Sequence, residues 1–325
     1  MILQCTDTLR VGNSGNHFNM PQISIIMPCY NREETIAQSI DSVIGQTFTD
    51  WELLIVDDGS SDNSQQVILR YDDPRVIIHT QKNTGVCGAR NAGLELATGA
   101  MVAFLDADDT WVPECLTKLH EALSNSSAGL AYCGWQNIGL SSGQGEPFIP
   151  PNYETSQKLE LLFQNCRWPI HACLSYRTAI IEAGMFNETI QTSEDFLLWL
   201  NIAMKNSITC VPEVLAYYHF HDGHQATSDK ARLAINHYLT QQLFLAQHPD
   251  YKISSTGSSL KSLMYGELLK KGYECYWKRD LYGARTIFKQ VMKLGHGNLG
   301  DWKYMLPSIL PYSLHRRLLS LVEGN

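Results

Sequence analysis

The sequence predicts an α/β fold in which helices flank a mostly parallel sheet, followed by a helical C-terminal extension. Short apolar runs alternate with amphipathic segments between residues 22 and 132, which is typical of a parallel sheet covered on both faces. Acidic residues follow two of these runs, at Asp57-Asp58 and at Asp106-Ala107-Asp108. From residue 228 onward the sequence predicts helices only.

Local signals predict the elements of the first part. Short apolar runs predict the strands, and the segments between them predict the helices. Asn31 is the expected cap of the first helix, Gly99 ends the third, and Pro113 lies near the first turn of the fourth. In order, we predict strand 23–27, helix 33–44, strand 51–56, helix 62–71, strand 76–79, helix 85–97, strand 100–105, helix 113–123 and strand 129–132.

The pattern changes at residues 137–152, which are rich in Gly, Ser and Pro and predict a surface loop near the mouth of the active site. Beyond this loop the predicted order is helix 155–164, strand 170–175, helix 177–183, helix 194–205, strand 208–211 and strand 214–219. The predicted domains are a disordered lead over residues 1–21, a catalytic domain over 22–227 and a helical region over 228–325.

Charge divides the chain in the same way. Residues 1–227 carry 11 basic and 26 acidic side chains, a net charge of −15, whereas residues 228–325 carry 14 and 7, a net charge of +7. An acidic half suits a divalent cation, and a basic half suits an anionic surface such as a membrane leaflet. Ordinary solvated charge on helices is the alternative explanation.

Composition argues against several classes of protein. The nine cysteines include no C-x-x-C pair, so we expect neither a disulfide framework nor a zinc site. The N-terminus lacks the apolar core of a signal peptide, and the sequence contains no run of roughly 18 apolar residues. We therefore expect a cytoplasmic protein, peripheral at the inner face of the cell membrane if the basic half binds lipid, with no nucleic-acid partner.

Four motifs follow one another along the first domain. They are Ile23-Ser-Ile-Ile-Met-Pro-Cys-Tyr-Asn31, Val56-Asp-Asp-Gly-Ser-Ser-Asp62, Asn83-Thr-Gly-Val-Cys-Gly-Ala-Arg-Asn-Ala-Gly93 and Phe104-Leu-Asp-Ala-Asp-Asp109. In this order they resemble the family 2 (inverting) glycosyltransferases of the GT-A fold, of bacterial type, over about residues 22–225. The resemblance implies a metal-dependent transfer of sugar from a nucleotide-diphosphate donor, normally UDP, to a saccharide or lipid-linked acceptor in cell-surface polysaccharide or glycolipid synthesis.

The D-x-D motif is the candidate metal site. Residues i and i+2 of an extended stretch point to the same side, so Asp106 and Asp108 can face one cation. Mg²⁺ and Mn²⁺ prefer such carboxylate oxygens, and a divalent cation stabilises the charge on a diphosphate leaving group. The resemblance implies that Asp108 ligates the metal and that Asp106 contacts the ribose or the metal. A solvated acidic turn is the alternative.

The resemblance assigns other motif residues to the nucleotide. Asp58 matches the aspartate that contacts the base, and Tyr30 is placed to lie along that base; helix capping and simple packing are the respective alternatives. Arg90 is expected to reach a phosphate or a D-x-D carboxylate, with a structural ion pair as the alternative. The remaining nucleotide-binding assignments are Pro28, Asn31, Glu33, Asn83, Gly85, Asp106 and Ala107.

A later acidic pair supplies the candidate catalytic base. Inverting transfer needs a carboxylate that accepts the proton of the acceptor hydroxyl as its oxygen attacks the anomeric carbon. Glu194-Asp195 matches the Glu-Asp motif of the family, which implies Asp195 as the base and Glu194 on the acceptor side or at the helix start. Trp168 and His171 are expected to line the acceptor site. By resemblance, His221 completes the metal or diphosphate contact, with loop hydrogen bonding as the alternative.

Two patterns suggest other activities. Gln164-x-x-Arg167-Trp168 spells the signature of processive synthases, but it precedes the Glu-Asp motif and no membrane helices flank the domain, so we expect non-processive transfer. Residues 104–110 satisfy the D-x-D-x-T pattern of haloacid-dehalogenase-type phosphatases, with Asp106 as nucleophile. That family normally carries the motif on its first strand, whereas three strand–helix units precede it here. A non-catalytic nucleotide-sugar-binding protein is the remaining alternative, although a binder needs no Asp195.

Residues 304–322 combine apolar side chains, two prolines and Arg316-Arg317. We expect this segment to touch the inner membrane surface, where a lipid-linked acceptor lies. Packing of these helices on the catalytic domain is the alternative.

Overall fold

The structure is a computed structural model that describes residues 8–9, 20–139, 144–166, 168–190, 192–220, 229–251 and 260–323. The chain divides into two compact units. The first comprises Met1–Leu162, Cys166–Thr189 and Leu198–Asp222, and the second comprises Phe163–Asn165, Ile190–Leu197 and Gly223–Asn325. The predicted lead over residues 1–21 lies mostly outside the described residues, and the predicted domain boundaries stay predictions.

Within the described residues, nine strands of the first unit form one sheet. They are β1 (Thr8–Leu9), β2 (Ile23–Cys29), β3 (Trp51–Asp57), β4 (Val76–Thr80), β5 (Met101–Phe104), β6 (Thr110–Trp111), β7 (Ala128–Ile138), β8 (Cys173–Tyr176) and β9 (Ser207–His219). Their order across the sheet is β1-β4-β3-β2-β5-β8-β7-β9-β6.

Strand direction divides the sheet into two halves. β4, β3, β2 and β5 run parallel to one another. β8 runs antiparallel to both β5 and β7, and β6 runs antiparallel to β9, although β7 and β9 are parallel. The expected mostly parallel arrangement is therefore limited to the half around β2, and the sheet is mixed. Apolar runs predicted where the strands lie, but such runs carry no information about strand direction.

Seven helices accompany these strands along the described chain. They are α1 (Ile36–Ile44), α2 (Ser64–Ile68), α3 (Gly85–Leu96), α4 (Cys115–Ser124), α5 (Lys158–Gln164), α6 (Arg177–Glu182) and α7 (Glu194–Lys205). α3 packs closely on β2, because a Cβ at Gly93 would lie only 2.5 Å from Cγ2 of Ile26. This close packing holds the C-terminal half of α3 against the middle of β2.

The structure corrects the predicted cap of the first helix. Thr35, not Asn31, occupies the N-cap position of α1. Asn31 has a φ of 52° and lies in the turn that follows β2. The prediction was wrong because an Asn favours a left-handed turn as readily as a helix cap.

Other elements also differ from the prediction. The strand expected over residues 129–132 extends from Ala128 to Ile138 as β7, and β6 was not predicted. The helix expected over residues 62–71 is shorter, since α2 covers only Ser64–Ile68. The strands expected at 208–211 and 214–219 form the single strand β9. Pro212 lies where the register shifts between the Cys133–Val211 and Gly134–Val214 pairs. An irregularity of this kind accommodates a proline without ending the strand.

The second unit is helical where the structure describes it. Its helices are α8 (Lys230–Gln247), α9 (Leu260–Trp277), α10 (Leu281–Lys293), α11 (Leu299–Met305) and α12 (Tyr312–Glu323), with a 3₁₀ helix at Leu306–Ile309. α9 and α10 pack tightly, since a Cβ at Gly272 would lie 2.6 Å from Cε1 of Phe288. In the described ranges, none of the helices combines the length and the apolar character that crossing a membrane would require.

Candidate active site

The carboxyl ends of the parallel strands meet at one edge of the sheet. β3 and β4 lie on one side of β2, and β5 lies on the other. In open α/β sheets, ligands bind in the crevice at such a switch point in strand order. Tyr30 and Asn31 directly follow β2, and Asp106 lies two residues beyond β5. The candidate residues of the first and fourth motifs therefore flank this crevice.

Pro28 helps to open the crevice. The Leu105 amide donates to the Ile26 carbonyl at 3.0 Å, which continues the ladder between β2 and β5 beyond Phe104. Successive residues of a strand direct their backbone groups to opposite sides, so Pro28 presents its nitrogen to the β5 side, where it has no N–H to donate. On the β3 side, the Cys29 carbonyl accepts from the Asp58 amide at 2.8 Å. Pairing thus continues toward β3 while it stops toward β5.

The loops after β2 and β3 are joined by their own side chains. Oδ1 of Asn31 accepts from the Ser61 amide at 2.8 Å, and the Ser60 hydroxyl accepts from the Asn31 amide at 3.0 Å. Oε2 of Glu33 accepts from the amide and the side chain of Asn63, at 2.9 and 2.6 Å. Asn31 and Glu33 therefore shape this edge of the crevice, and direct nucleotide contacts by either residue stay predictions.

The Asp58 side chain holds the start of α3. Its Oδ1 accepts from the Thr84 amide at 2.9 Å and from the Gln81 side chain at 2.8 Å, and its Oδ2 accepts from the Gly85 amide at 2.9 Å. Only 3% of Asp58 is exposed, whereas Tyr30 is 49% exposed. Helix capping by Asp58 is therefore present, although at α3 rather than within its own turn. Its contact with a nucleobase stays a prediction.

Each carboxylate of the D-x-D motif faces an arginine. Nη2 of Arg90, which is buried on α3, donates to Oδ1 of Asp106 at 2.7 Å. Nε of Arg32 lies 3.2 Å from Oδ2 of Asp108. Of the two contacts expected for Arg90, the structure shows the one with the carboxylate. The ion pair between Arg32 and Asp108 was not anticipated.

This edge of the sheet is strongly acidic. The Thr35 hydroxyl donates to the Ala107 carbonyl at 2.9 Å, which joins the D-x-D turn to the start of α1. The carboxylates at or just beyond the ends of β3 and β5 are Asp57, Asp58, Asp106, Asp108 and Asp109. Such a concentration of negative charge repels a diphosphate unless a cation accompanies it.

A buried ion pair supports the D-x-D turn. Nδ1 of His171 lies 2.9 Å from Oδ2 of Asp109, and both side chains are 1% exposed. Burial alone lowers the pKa of His171, but the Asp109 carboxylate outweighs that effect and raises this pKa above its ordinary value.

Asp109 also holds the end of β9. Its Oδ1 accepts from the His219 amide at 2.9 Å. Nε2 of His219 shares a hydrogen bond with the Thr110 hydroxyl at 2.8 Å, and burial together with the nearby His171 lowers the pKa of His219. The residue that directly follows the D-x-D motif therefore links β8, β9 and β6 near the crevice.

The side chains expected to line the acceptor site are buried. Trp168 stacks on Tyr132 with ring centroids 4.3 Å apart, and His171 is paired with Asp109. As placed here, both side chains contribute to packing, and their contact with an acceptor stays a prediction. His221 lies outside the described residues, so its predicted contact with metal or diphosphate stays a prediction too.

Glu194 and Asp195 form the first turn of α7, in the second unit. Ser193 before them has a φ of 69°, and Oδ1 of Asp195 accepts from the Phe196 amide at 2.8 Å. Acidic residues are favourable at a helix N-terminus, because they complement the helix dipole. The helix-start role of the pair is therefore observed, and the role of Asp195 as general base stays a prediction.

The donor atoms present suit a hard divalent cation. The side chains of Asp106 and Asp108 are 28% and 17% exposed and offer carboxylate oxygens. In the part of the chain that the structure describes, no group of three or more histidine, cysteine or acidic side chains is arranged to hold a metal. Mg²⁺ is commonly held by one or two carboxylates plus substrate phosphates and water. These residues therefore fit a metal ion that binds together with a diphosphate.

Comparison with known proteins agrees with this geometry. The family model described as Glycosyl transferase family 2 matches residues 24–184. The Escherichia coli protein named UDP-Glc:alpha-D-GlcNAc-diphosphoundecaprenol beta-1,3-glucosyltransferase WfgD is 36% identical over 190 residues, which are 58% of this chain and 72% of WfgD.

Two solved structures share the fold. TarS 1–349 from S. aureus, in complex with UDP-GlcNAc, is similar with a TM-score of 0.55 and 17% identity, over 77% of this chain and 80% of the TarS chain. The mannosyltransferase PcManGT from Pyrobaculum calidifontis, in complex with GDP-Man and Mn²⁺, has a TM-score of 0.54 and 16% identity, over 92% of this chain and 83% of its own. These similarities confirm the predicted GT-A fold.

The motifs that flank the crevice, the matching family model and the relative that is 36% identical all lead to one assignment. The phosphatase alternative is disfavoured, because that family carries the D-x-D motif on its first strand and here the motif follows the fifth strand. The assignment also disfavours a non-catalytic binding protein. The chain belongs to the family 2 glycosyltransferases and is an enzyme of that family.

Proposed function

We propose that the enzyme transfers a single sugar, with inversion, from a UDP-sugar to a lipid-linked saccharide in cell-surface polysaccharide or glycolipid synthesis. The observation that carries this proposal is the convergence of the D-x-D carboxylates with the loops after β2 and β3 at the switch point of the sheet. A diphosphate, a base and a metal ion need to lie side by side, and this crevice offers groups for each of them.

Uridine as the base is supported by two similarities. WfgD is named for UDP-Glc, and the TarS structure contains UDP-GlcNAc. In this chain the exposed ring of Tyr30 is available to lie along a base at the end of β2. The buried Asp58 carboxylate, fixed by the start of α3, would present a rigid acceptor to the edge of that base.

A divalent cation, Mn²⁺ or Mg²⁺, would be held by Asp108 and Asp106. PcManGT contains Mn²⁺, and the two carboxylates fit such an ion, as described above. When bound, the ion would stabilise the negative charge that develops on the leaving diphosphate. Arg90 is buried and holds Asp106 in place, whereas the more exposed Arg32 is the cation that can shift from Asp108 towards the diphosphate.

The acceptor is proposed from the similarity to WfgD, whose name specifies a GlcNAc-diphosphoundecaprenol. In the reaction, the acceptor hydroxyl oxygen forms a bond to the anomeric carbon as the bond from that carbon to the diphosphate breaks. UDP leaves with the bonding electrons, and Asp195 accepts the hydroxyl proton. The Q-x-x-R-W signature of processive synthases is out of order in this chain, because it precedes Glu194-Asp195. This order is consistent with transfer of one sugar per binding event.

A panel of UDP-, GDP- and dTDP-sugars tests the donor. We expect measurable hydrolysis, and a thermal shift, with a UDP-sugar in the presence of Mn²⁺, and loss of both effects in EDTA. Asp108→Asn should reduce the hydrolysis rate at least 100-fold, because it removes one negative charge from the metal site. The matched control is Asp72→Asn, which changes an exposed aspartate outside the crevice.

Several outcomes would contradict the proposal. A thermal shift with GDP- or dTDP-sugars but not with any UDP-sugar would overturn the choice of base. Full activity in EDTA, or in Asp108→Asn, would overturn the role of the metal. Release of phosphate from p-nitrophenyl phosphate without turnover of any nucleotide sugar would favour the phosphatase alternative.

A further inference from the structure

The C-terminal half of the second unit exposes large apolar side chains. Trp277 is 61% exposed, Tyr282 is 75% exposed and Ile309 is 61% exposed. Isolated exposed apolar residues are ordinary on soluble proteins, whereas a contiguous patch indicates an interaction surface. We define the apolar face as Trp277, Tyr282, Leu306, Ile309, Tyr312 and Leu314, all of which are exposed.

Contacts between neighbouring residues connect the helices that carry this face. The ring of Trp277 at the end of α9 lies 5.8 Å from that of Tyr304 in α11, two residues before Leu306. On α10, the buried Arg285 donates to the Leu310 carbonyl at 2.6 Å, and its guanidinium lies 5.8 Å from the ring of Tyr312. Tyr282 lies three residues before Arg285 on the same helix.

The segment that carries the lower part of the face has a fixed orientation. Met305, Ser308 and His315 are buried, at 0%, 0% and 1% exposure. Leu306 and Ile309, adjacent to these buried positions in the chain, are exposed. Burial of one side of this segment therefore holds the other side outward.

The same region carries a strong positive charge. Between residues 277 and 317 there are eight basic and two acidic side chains. Asp280 accepts from the Gly283 amide as the N-cap of α10, and Asp301 completes a capping box at the start of α11. Both acidic side chains are thus engaged at helix starts. Arg285 is buried. The exposed basic residues are Lys278, Arg279, Lys289, Lys293, Lys303, Arg316 and Arg317.

We propose that the apolar face and these basic residues form a binding surface for an anionic lipid bilayer. Tyr and Trp rings favour the boundary between water and acyl chains, and each Lys or Arg near an anionic membrane adds an attraction of about 1 kcal/mol. Docking of a second copy of the chain would bring two net positive surfaces together, whereas an anionic lipid surface is complementary in charge to this surface. This surface extends beyond the predicted segment 304–322 to the turn between α9 and α10.

Vesicle co-sedimentation of the full chain tests the proposal. We expect binding to vesicles of phosphatidylcholine with 30% phosphatidylglycerol at low salt, and at least tenfold weaker binding to pure phosphatidylcholine or in 0.5 M NaCl. Arg316→Gln/Arg317→Gln should lower the partition coefficient about 30-fold, because it removes two charges worth about 1 kcal/mol each. Trp277→Ser/Ile309→Ser should lower it about tenfold.

Matched controls use exposed residues elsewhere. Arg70→Gln/Lys270→Gln removes two exposed charges, and Leu69→Ser/Ile181→Ser removes two exposed apolar side chains. Both should bind vesicles as the unmodified chain does. Hydrolysis of a UDP-sugar without vesicles should stay unchanged in all four variants, so failure of the lipid proposal is distinguishable from failure of the proposed function.

Three results would overturn the inference. They are equal binding to charged and uncharged vesicles, no binding at low salt, and equal loss of binding in the control variants. A concentration-dependent dimer that the Trp277→Ser/Ile309→Ser change abolishes, without any vesicle binding, would assign the face to a second copy of the chain instead.

Discussion

The two units differ in how they use charge. In the first, carboxylates lie at the ends of buried strands, where the topology of the sheet brings Asp58 and Asp108 to one edge. In the second, basic side chains are spread over helix surfaces. Charge brought together by a sheet edge can bind one small ligand, whereas charge spread over helices suits an extended surface. The comparison therefore separates donor chemistry from surface binding.

One histidine of each unit, His171 and His237, shows a related difference. In the first unit, His171 lies beside the Asp109 carboxylate, which raises the pKa of that imidazole. In the second unit, His237 stacks on Phe196 at 4.3 Å and lies 3.3 Å from the Gln164 carbonyl oxygen. Burial lowers the pKa of His237 to about 4. The surroundings of His171 thus favour its charged form, whereas those of His237 favour its neutral form.

Asp195 gives the largest expected effect, and it sharpens the comparison because this proposed base is a carboxylate of the second unit. Asp195→Asn should lower the rate of sugar transfer between 100-fold and 10,000-fold, because the amide cannot accept the hydroxyl proton. Binding of UDP, measured by thermal shift, should remain as in the unmodified chain. The matched control is Glu114→Gln, an exposed acid at the N-cap of α4. Transfer within threefold of the unmodified rate would remove Asp195 from the mechanism.

The pair of His171 and Asp109 should dominate the stability of the first unit. His171→Leu leaves a buried carboxylate without its partner, which costs about 3–5 kcal/mol in the free energy of unfolding. Adding Asp109→Asn should recover part of this loss, because the double variant no longer buries an unpaired charge. Urea unfolding of both single variants and the double variant gives the coupling energy. Additive effects within about 0.5 kcal/mol would show that the two side chains do not interact.

Features that depend on neighbouring residues were predictable from the sequence, whereas contacts between residues far apart in the sequence were not. The strands around β2 and the D-x-D motif were predictable, because apolar runs and their terminal acids are local patterns. Asp109 directly follows that motif, yet its partner His171 is 62 residues away, and nothing in the spacing connects them. Arg32 likewise reaches Asp108 only because the ends of β2 and β5 are adjacent.

The burial of two rings was not predicted, for a related reason. Trp168 and His171 are expected to line the acceptor site, and their contact with an acceptor stays a prediction. The structure stacks Trp168 on Tyr132 of β7, a contact that depends on how β7 and β8 are arranged. The polarity of a sequence segment does not predict such a contact between distant residues. The apolar face of the second unit was only partly predicted, because Trp277 joins it through packing of α9 against α11.

His237 provides the smallest expected effect and sharpens the comparison between His171 and His237. Its folded-state pKa of about 4 lies below the ordinary value of 6.5. As pH falls from about 6.5 to about 4, the unfolded chain therefore binds a proton that the folded chain does not bind. The free energy of unfolding decreases over this pH range. The 2.5-unit difference corresponds to roughly 3 kcal/mol at the acid end. Glu267 and Lys271 on α9 and the Gln164 carbonyl are the polar groups that act on this imidazole.

His237→Gln removes this titration while it keeps an N–H donor for the Gln164 carbonyl. The slope of unfolding free energy against pH, measured by urea unfolding between pH 4 and 7, should become shallower than in the unmodified chain. The matched control is His120→Gln, which makes the same exchange at a half-buried histidine that contacts Gln22 in the first unit. If His237→Gln leaves the slope unchanged, the pKa of His237 is the same in the folded and unfolded chains, and the contrast with His171 fails.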